Sequence, residues 1–389
     1  MKRIVLILMS LCMVISLCAC GNVDTVQPNS VQTQSTETAV IPEAVSTPED
    51  KESTSNVDID YSEHSFEVHY INVGQADAAL VLCDDKSMLI DGGNAADSDL
   101  IYTYLKNQNI TELDYIICSH AHEDHVGGLS APLATLTVGN VYAPKTESDI
   151  KAYQNFKKKA SEQNLTIKNP APGSSIPFGS STVEFFGPIT ENADDQNNNS
   201  IVMKIIYGDT SFLFTGDAER EEEQEILSAG YDLSATVLKV GHHGSANSTT
   251  YPFLREVMPK YAVISVGSGN SYGHPTEDTL SRLRDAEVAV YRTDLQGDII
   301  VKSDGQNVSV TTQKNKNAKT NPTVKPKSEQ PRESVDYSQN AQTYIGNKNT
   351  KKFHYPSCYS LPKEKNRVYL SSREEAISDG FSPCGNCNP

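Results

Sequence analysis

The chain of 389 residues is poor in positive charge, with 33 Lys and Arg against 50 Asp and Glu. The shortage lies in residues 63–312, where 17 basic residues face 35 acidic ones, a formal charge of −18. Such a segment repels a polyanion except where bound cations reverse the local field. Residues 313–389 differ, since 13 basic and 7 acidic residues give them a formal charge of +6.

The N-terminal apolar stretch, residues 4–17, is shorter than the roughly 20 residues of a membrane-spanning helix. It follows Met1-Lys2-Arg3 and ends in small residues, which predicts a signal peptide over residues 1–20. Leu17-Cys18-Ala19-Cys20 resembles a bacterial lipobox, which implies lipid attachment at Cys20; cleavage without a lipid is the alternative. Residues 21–62 have no apolar periodicity and are rich in Ser, Thr, Gln, Pro and Glu, which predicts a disordered tether.

Histidine is absent between His125 and His242, and three of the nine histidines lie in one string, His120-Ala121-His122-Glu123-Asp124-His125. The string follows an apolar run, residues 115–118, that is typical of a buried strand, and Gly127-Gly128 allows a turn after it. Such closely spaced groups would repel one another when protonated and would be costly to bury. A divalent cation removes both penalties. The string therefore predicts a metal site, with a polar surface loop as the alternative.

Six further motifs stand in order around this string: residues 66–78 (FEVHYINVGQADA), 88–94 (MLIDGGN), 197–202 (NNNSIV), 212–218 (FLFTGDA), 238–245 (LKVGHHGS) and 272–275 (YGHP). Together they resemble the metallo-β-lactamase superfamily, and within it the soluble hydrolase domain of ComEC-type DNA-uptake competence proteins, over about residues 64–312. Asn72 and Ala76 depart from the usual family pattern, which has Asp and Gly there. The resemblance implies an α/β fold, a four-layer αββα sandwich.

The same resemblance implies two divalent cations. Their ligands would be His120, His122 and Asp217 for the first and Asp124, His125, Asp217 and His243 for the second. Superfamily members with two complete zinc sites usually supply a further histidine between the positions of His125 and Asp217, where this chain has none. The resulting oxygen-rich pair of sites suits Mn²⁺ as well as Zn²⁺.

Other residues receive supporting roles by the same resemblance. Asp124 would orient the nucleophile and move its proton, and His274 would contact a phosphate or protonate a leaving group; capping of the turn before Pro275 is the alternative for His274. Asp91 would position the histidine loop from behind the ligands. Contacts to ligands or substrate are predicted for Asn199, Ser200 and His242. His243 is preferred over His242 as the ligand because the last ligand of the superfamily generally precedes a glycine.

Apolar periodicity supports this architecture. Strands are predicted at residues 66–73, 78–83, 87–91, 183–187, 201–207, 211–215, 236–240, 262–266, 288–291 and 298–302. Helices are predicted at 96–109, 149–163 and 275–286. Strands followed by a helix, repeated twice, are consistent with the αββα sandwich.

The C-terminal segment contains His354, Cys358, Cys384 and Cys387, a His-x3-Cys pair and a Cys-x2-Cys pair separated by 25 residues. Four N and S ligands in two short pairs are typical of a closed structural zinc site. Residues 344–354, 374–377 and 380–384 resemble the zinc-binding domain of the Ada DNA-repair protein, with His354 in place of its first cysteine. A disulfide is the alternative in an exported chain. Because of that substitution we do not carry the repair activity over, and a structural or DNA-contacting role is expected.

The remaining cysteines, Cys83 and Cys118, lie in strand-like segments and are predicted to be small buried apolar residues. The predicted domains are a lipoprotein signal peptide (1–20), a tether (21–62), a hydrolase domain (63–312), a basic linker (313–340) and an Ada-like zinc domain (341–389). The linker lysines either contact nucleic acid or serve only as a spacer.

The sequence thus predicts a lipid-anchored extracellular metal-dependent phosphodiesterase, a nuclease acting on DNA. Its partners would be DNA and the membrane, with no protein partner inferred. The first alternative is a hydrolase of a small molecule or cell-wall component, such as a phosphorylated polymer or a lactone, whose zinc module is purely structural. The second is a DNA receptor without activity, against which the complete His, Asp and His-His-Gly motifs argue.

Overall fold

The computed structural model describes Tyr61 and residues 64–191, 195–323, 344–356, 358, 361–384 and 387. The predicted signal peptide with Cys20, all of the tether except Tyr61 and most of the basic linker lie outside the described residues. Among the described residues, no helix is both long and apolar enough to cross a bilayer.

The first of two large sheets has eight strands. They are β1 (Phe66–Tyr70), β2 (Ala78–Cys83), β3 (Lys86–Gly92), β4 (Glu112–Ile117), β5 (Thr137–Tyr142), β6 (Ile167–Lys168), β14 (Ile299–Ser303) and β15 (Val308–Thr312). Their spatial order is β15-β14-β1-β2-β3-β4-β5-β6. Strands β3 to β6 run parallel, and the other neighbours are antiparallel.

The second sheet has seven strands in the order β13-β12-β11-β10-β9-β8-β7. They are β7 (Ser175–Phe178), β8 (Ser181–Phe185), β9 (Met203–Tyr207), β10 (Thr210–Phe214), β11 (Val237–Lys239), β12 (Tyr261–Ile264) and β13 (Ala289–Arg292). Strands β10 to β13 are parallel to one another.

Helices cover the outer face of each sheet. They are α1 (Ser98–Asn107), α2 (Glu123–Val126), α3 (Ser130–Thr135), α4 (Lys151–Glu162), α5 (Arg220–Ala229), α6 (Tyr251–Val257), α7 (Glu277–Asp285) and α8 (Thr293–Gln296). Helix α7 begins as its sequence predicts, because Thr276 accepts a hydrogen bond from the Thr279 amide.

The packing follows from the alternation of side chains along the strands. In β1, Phe66, Val68 and Tyr70 point between the sheets, where Phe66 packs on Phe212 with ring centroids 4.8 Å apart. The opposite face of the first sheet packs on α1, α3 and α4, and that of the second packs on α5, α6 and α7. These layers confirm the predicted αββα sandwich.

Most predicted elements are present, with small shifts at their ends. The strand predicted at 66–73 ends at Tyr70, because the following residues turn through Gly74, whose φ is +75°. In the hydrolase domain, the sequence does not predict strands β5, β6, β7 and β15 or helices α2, α3, α5, α6 and α8. Residues of the predicted linker contact the hydrolase domain, since the Lys314 amide donates to the Gln296 carbonyl and Thr320 Oγ1 donates to the Val290 carbonyl.

The C-terminal segment forms a separate four-stranded sheet in the order β18-β16-β17-β19. Its elements are β16 (Tyr344–Asn347), β17 (Lys352–His354), β18 (Arg367–Leu370), α9 (Arg373–Ser378) and β19 (Ser382–Pro383). Five buried side chains form its core: Tyr344, Phe353, Leu370, Ala376 and Phe381. A core of this size normally needs a metal or disulfide for stability.

Candidate metal centre

The predicted ligands lie at the carboxyl ends of four strands, two in each sheet. Asp91 ends β3, the His120–His125 string follows β4, Asp217 follows β10, and His242 and His243 follow β11. Strand β3 is parallel to β4, and β10 is parallel to β11, so these ends meet at one edge of the sandwich. Motifs separated by more than a hundred residues thereby reach a single site.

Asp217 lies at the centre of this site and is 2% exposed. Its Oδ1 is 3.2 Å from His125 Nε2, and its Oδ2 is 3.7 Å from His243 Nε2 and 4.0 Å from His120 Nε2. The Nε2 atom of His242 lies 3.6 Å from the same Oδ2. One carboxylate therefore faces four imidazoles, an arrangement that suits a metal ligand.

The site passes a test for cation binding that does not depend on sequence motifs. His125 Nε2 and Asp217 Oδ1 are both buried and lie 3.2 Å apart as an ion pair, but neither makes a hydrogen bond of normal geometry among the described residues. A buried polar group without a well-formed hydrogen bond costs about 1–3 kcal/mol, and more when it is charged. A cation held between them would satisfy both, and the mixed nitrogen and oxygen donors suit Zn²⁺ or Mn²⁺.

The ligand atoms of His120, His125 and Asp217 form one group within 4.8 Å of one another, and those of Asp124, His125 and His243 form a second. His122 lies beside the first group, its Nδ1 being 3.0 Å from His120 Nε2. The structure thus brings together all six predicted ligands, with His125 between the two groups. Their assignment to individual cations stays a prediction.

Asp91 orients the histidine loop from behind. Its Oδ2 accepts a hydrogen bond from His125 Nδ1 at 2.8 Å, which turns His125 Nε2 toward Asp217. The amide and hydroxyl of Ser119 also donate to Asp91, each at 2.7 Å. This geometry agrees with the positioning role predicted for Asp91.

Ser200 supports Asp217 in a similar way. Its hydroxyl accepts a hydrogen bond from the Asp217 amide at 2.9 Å and lies 3.5 Å from His120 Nδ1. Asn199 is fully buried next to it, and its side-chain amide donates to the Asp195 carbonyl. Ser200 thus contacts a candidate ligand directly, whereas the hydrogen bond of Asn199 to Asp195 holds the loop.

His242 and His243 differ in their surroundings. His243 is buried, and its Nδ1 donates to the Ser265 carbonyl at 3.0 Å, which leaves Nε2 free to face Asp124 Oδ2 at 3.2 Å. The side chain of His242 is 23% exposed and donates from Nδ1 to Glu219 at 2.9 Å. His243 is the more buried of the two and contacts both the Ser265 carbonyl and Asp124, which is the geometry expected of a metal ligand. His242 lies at the wall of the open pocket.

Sequence reasoning missed a buried ion pair behind His243. Lys239 Nζ lies 2.5 Å from Asp77 Oδ2, and Asp77 Oδ1 lies 3.3 Å from His243 Nδ1. Burial opposes ionisation of Asp77, but the charges of Lys239 and His243 lower its pKa to about 2. A signal was available, because a lysine inside the apolar strand β11 requires a buried counter-charge.

The charges of the metal-free site are strongly coupled. Burial disfavours a charged His243, but the charges of Asp217 and Asp77 outweigh it and raise the pKa of His243 to about 10. Burial also opposes ionisation of Asp124, yet its hydrogen bond to His243 and the charge of His125 lower the pKa of Asp124. A cation must therefore displace a proton from His243 when it binds.

An open pocket of about 320 Å³ leads to these groups, lined among others by Gln75, His122, Asp124, Asn197, Tyr272 and His274. The His274 ring lies 5.5 Å from His242 and stacks on Tyr272 at 5.8 Å. Burial, with the charges of His242 and His243, lowers the pKa of His274 to about 4, so its imidazole is neutral near pH 7. The structure brings His274 into the site, next to His242, which is predicted to contact substrate.

The C-terminal domain contains a second cluster. The ligand atoms of His354, Cys358, Cys384 and Cys387 lie within 4.8 Å of one another, with His354 Nδ1 3.4 Å from Cys358 Sγ. None of the described cysteines forms a disulfide, and Cys83 and Cys118 are buried. Burial, followed by the neighbouring Cys358 sulfur, raises the pKa of Cys387 to about 12. Crowded thiols of this kind ionise only with a cation present, as in a structural zinc site.

Comparison with known proteins agrees with this geometry. Residues 71–268, about half of the chain, match the family model of the metallo-beta-lactamase superfamily, and the chain belongs to that superfamily. Residues 330–389 match the model described as the metal binding domain of Ada. Both findings confirm the resemblances stated from the sequence.

The relatives lie among competence proteins. The chain is 31% identical to ComE operon protein 3 of Bacillus subtilis over 251 residues, which are 60% of this chain and 32% of that protein. It is 31% identical to competence protein ComA of Neisseria gonorrhoeae over 228 residues, 58% of this chain and 30% of that protein. The chain spans about a third of the length of these relatives. A solved structure, the metallo-beta-lactamase fold protein YhfI from Bacillus subtilis, covers 61% of this chain and 100% of its own, with 15% identity and a TM-score of 0.44.

Proposed function

We propose that this metallo-β-lactamase-fold hydrolase is a metal-dependent phosphodiesterase that cleaves DNA. One observation carries the proposal. The carboxylate of Asp217 is buried among imidazoles, near Asp124, and lines an open polar pocket. Two relatives of the chain are named ComE operon protein 3 and competence protein ComA. Carboxylate and imidazole groups around a shared pair of cations are typical of phosphodiester hydrolysis.

The cations would be held by His120, His122, Asp124, His125, Asp217 and His243. When bound, they lower the pKa of water and neutralise charge on the phosphoryl oxygens. Protein groups fix their positions in advance, because Asp91 orients His125 and the Ser265 carbonyl orients His243. Little reorganisation of the ligands is then required.

The chain's own residues supply the proton transfers. Asp124 is ionised, and its carboxylate faces the pocket, where it accepts a proton from the attacking water. His274 has a buried Nδ1 without a hydrogen-bond partner among the described residues. A phosphate anion next to this imidazole raises its pKa, which suits it to donate a hydrogen bond or a proton to the leaving oxygen. Glu219 holds His242 at the same pocket, in reach of substrate.

The decisive experiment uses single-stranded DNA, double-stranded DNA and bis(p-nitrophenyl) phosphate as substrates, each with Mn²⁺ or Zn²⁺. The purified chain should hydrolyse all three, and Asp217→Asn should abolish the activity. The matched control is Asp85→Asn, which makes the same substitution at an exposed aspartate and should remain active. Hydrolysis of a lactone without cleavage of any phosphodiester would reject the proposal in favour of the small-molecule alternative.

The proposed location is the outer face of the cell membrane, with a lipid on Cys20. The expected result of Cys20→Ser is release of the protein into the medium or accumulation of the uncleaved precursor. Fractionation followed by mass determination of the N-terminus measures both. A variant that is processed and still fully retained in the membrane would contradict the lipid anchor.

The zinc domain is proposed to hold DNA near the hydrolase domain. The described part of residues 344–387 presents exposed basic side chains, including Lys348, Lys351, Lys352, Lys363 and Lys365. A chain ending at residue 340 should bind DNA more weakly and with a smaller salt dependence, while it still hydrolyses bis(p-nitrophenyl) phosphate. Equal DNA affinity in the two chains would leave the zinc domain with a structural role only.

A further inference from the structure

A groove of about 810 Å³ lies next to the candidate metal centre and plays no part in the chemistry described above. One wall is formed by α4 and the other by the segment around α2 and the start of α1. His122 and Glu123 line both this groove and the pocket of the metal centre. The two spaces are therefore adjacent, and a molecule lying in the groove passes His122, one of the predicted ligands.

The wall formed by α4 has a regular polar pattern. Lys151, Gln154, Asn155 and Lys158 all line the groove and all are exposed. Their spacing of three, four and seven residues places them on one face of the helix. The opposite face, with Tyr153, Phe156 and Ala160, is buried against the first sheet. The packing of α4 thus fixes which side chains face the groove.

The charge of this wall contrasts with the domain as a whole. Residues 63–312 carry a formal charge of −18, yet two ammonium groups face this groove, and Glu123 is the acidic residue that lines it. Among the described residues, the ion pairs of α4 are made by Lys157, Lys158 and Lys159, and Lys151 takes part in none. The pair of Lys158 with Glu162 is long, at 3.8 Å, and exposed. Both groove lysines are therefore available to an anion.

We propose that this groove binds the phosphodiester backbone of one nucleic-acid strand and leads it to the metal centre. Seven residues of helix separate the backbones of Lys151 and Lys158 by about 10 Å. That distance corresponds to about three nucleotides at the axial rise of 3.4 Å per phosphate of a strand stacked as in B-DNA. Between the two lysines, the Asn155 amide suits a hydrogen bond to phosphate or sugar oxygens without reading sequence. Gln154 Nε2 already donates to the Ser148 carbonyl at 2.6 Å, which leaves its second N–H for the same use.

This inference rests on the proposed function, because it takes the metal centre to act on the strand that the groove holds. The inference adds the path of the rest of the strand, beyond the phosphodiester that is cleaved. It also accounts for the way an acidic domain accepts a polyanion, since the favourable potential is confined to the path that ends at the cations.

The test compares Lys151→Gln/Lys158→Gln with Lys157→Gln/Lys159→Gln in the full chain. The two variants lose the same charge from the same helix, but only the first pair lines the groove. Activity is measured on a 20-nucleotide single strand and on bis(p-nitrophenyl) phosphate, a small diester with no backbone beyond its one phosphate. Binding of a fluorescent 20-nucleotide strand is measured separately, by anisotropy in Asp124→Ala versions of each chain, so that it does not depend on turnover.

For the groove variant, kcat/KM on the oligonucleotide relative to the small diester should fall roughly tenfold, as expected for two exposed ion pairs lost. The slope of log affinity against log salt should shrink by about 1.4 for single-stranded DNA. The matched variant should keep the wild-type ratio and slope. Equal losses in the two variants, or no loss in the groove variant, would overturn the inference. Selective loss of binding with no cleavage by any chain would support the groove and reject the proposed nuclease activity.

Discussion

The buried pair of Asp77 and Lys239 gives the sharpest test of how this site is built. Asp77 is 4% exposed and Lys239 is 4% exposed, and their charged atoms lie 2.5 Å apart. Lys239 Nζ also donates to the Val240 carbonyl at 2.9 Å, which cannot replace a full negative charge. Asp77→Asn therefore leaves a buried ammonium without its counter-charge.

Removal of one partner from a buried pair costs about 3–5 kcal/mol. For a domain of this size, 1 kcal/mol corresponds to about 2–4 °C in Tm, so Asp77→Asn should lower the Tm by roughly 6–20 °C. Lys239→Met should also be destabilising, because it leaves Asp77 buried and ionised. The double variant Asp77→Asn/Lys239→Met should recover much of the loss, since a neutral, well-packed replacement of a buried pair is often close to neutral in stability.

Differential scanning calorimetry of the wild type, both single variants and the double variant completes the cycle. Metal is removed with a chelator in one series, so that the effect of the pair is separated from that of bound cations. A coupling free energy of about 2 kcal/mol or more is expected for groups in direct contact. Additive losses, with a coupling below about 0.5 kcal/mol, would refute the view that the two residues act as a unit.

Three further predictions address other parts of the chain. Metal analysis should show that His243→Ala loses bound cation while His242→Ala retains it, and activity assays should show a roughly tenfold loss in His242→Ala. Loss of cation from His242→Ala but not from His243→Ala would exchange the two roles. Cys384→Ser should remove one zinc per chain and unfold the C-terminal sheet, because the hydrophobic core of that sheet has only five buried residues. The control variant Cys83→Ser should keep the zinc. Unchanged zinc content in Cys384→Ser would reject the predicted ligand set. Glu222 is 2% exposed, and its burial, together with the charges of Glu223 and Glu225, raises its pKa well above 4.5. Glu222 therefore takes up a proton on folding. Its contribution to the free energy of unfolding declines as the pH rises above 4.5. Glu222→Gln should therefore raise the Tm at pH 8 and have little effect at pH 4.5, and an equal effect at both pH values in thermal scans would contradict this.

The groups that the sequence identifies are those whose partners are close in the chain or stand in recognisable motifs. His120, His122, Asp124 and His125 fall within six residues, so their convergence needs only one loop after one strand. The two pairs of predicted zinc ligands in the C-terminal domain can be identified from the sequence for the same reason. The apolar alternation of Phe66, Val68 and Tyr70 in β1 likewise predicts which of its side chains point between the sheets, because the period of two is a local property.

The groups that the sequence does not identify depend on which strands become neighbours. Asp77 and Lys239 are separated by 162 residues and meet only because the two sheets stack with the ends of β3, β4, β10 and β11 at one edge. The difference between His242 and His243 arises from Ser265 and Glu219, which lie on other segments of the chain. The groove beside α4 exists because that helix packs across from the histidine loop. Local sequence determines which chemical groups are available and on which face of an element they stand, whereas the long-range strand order decides which of them come within a few ångströms of one another.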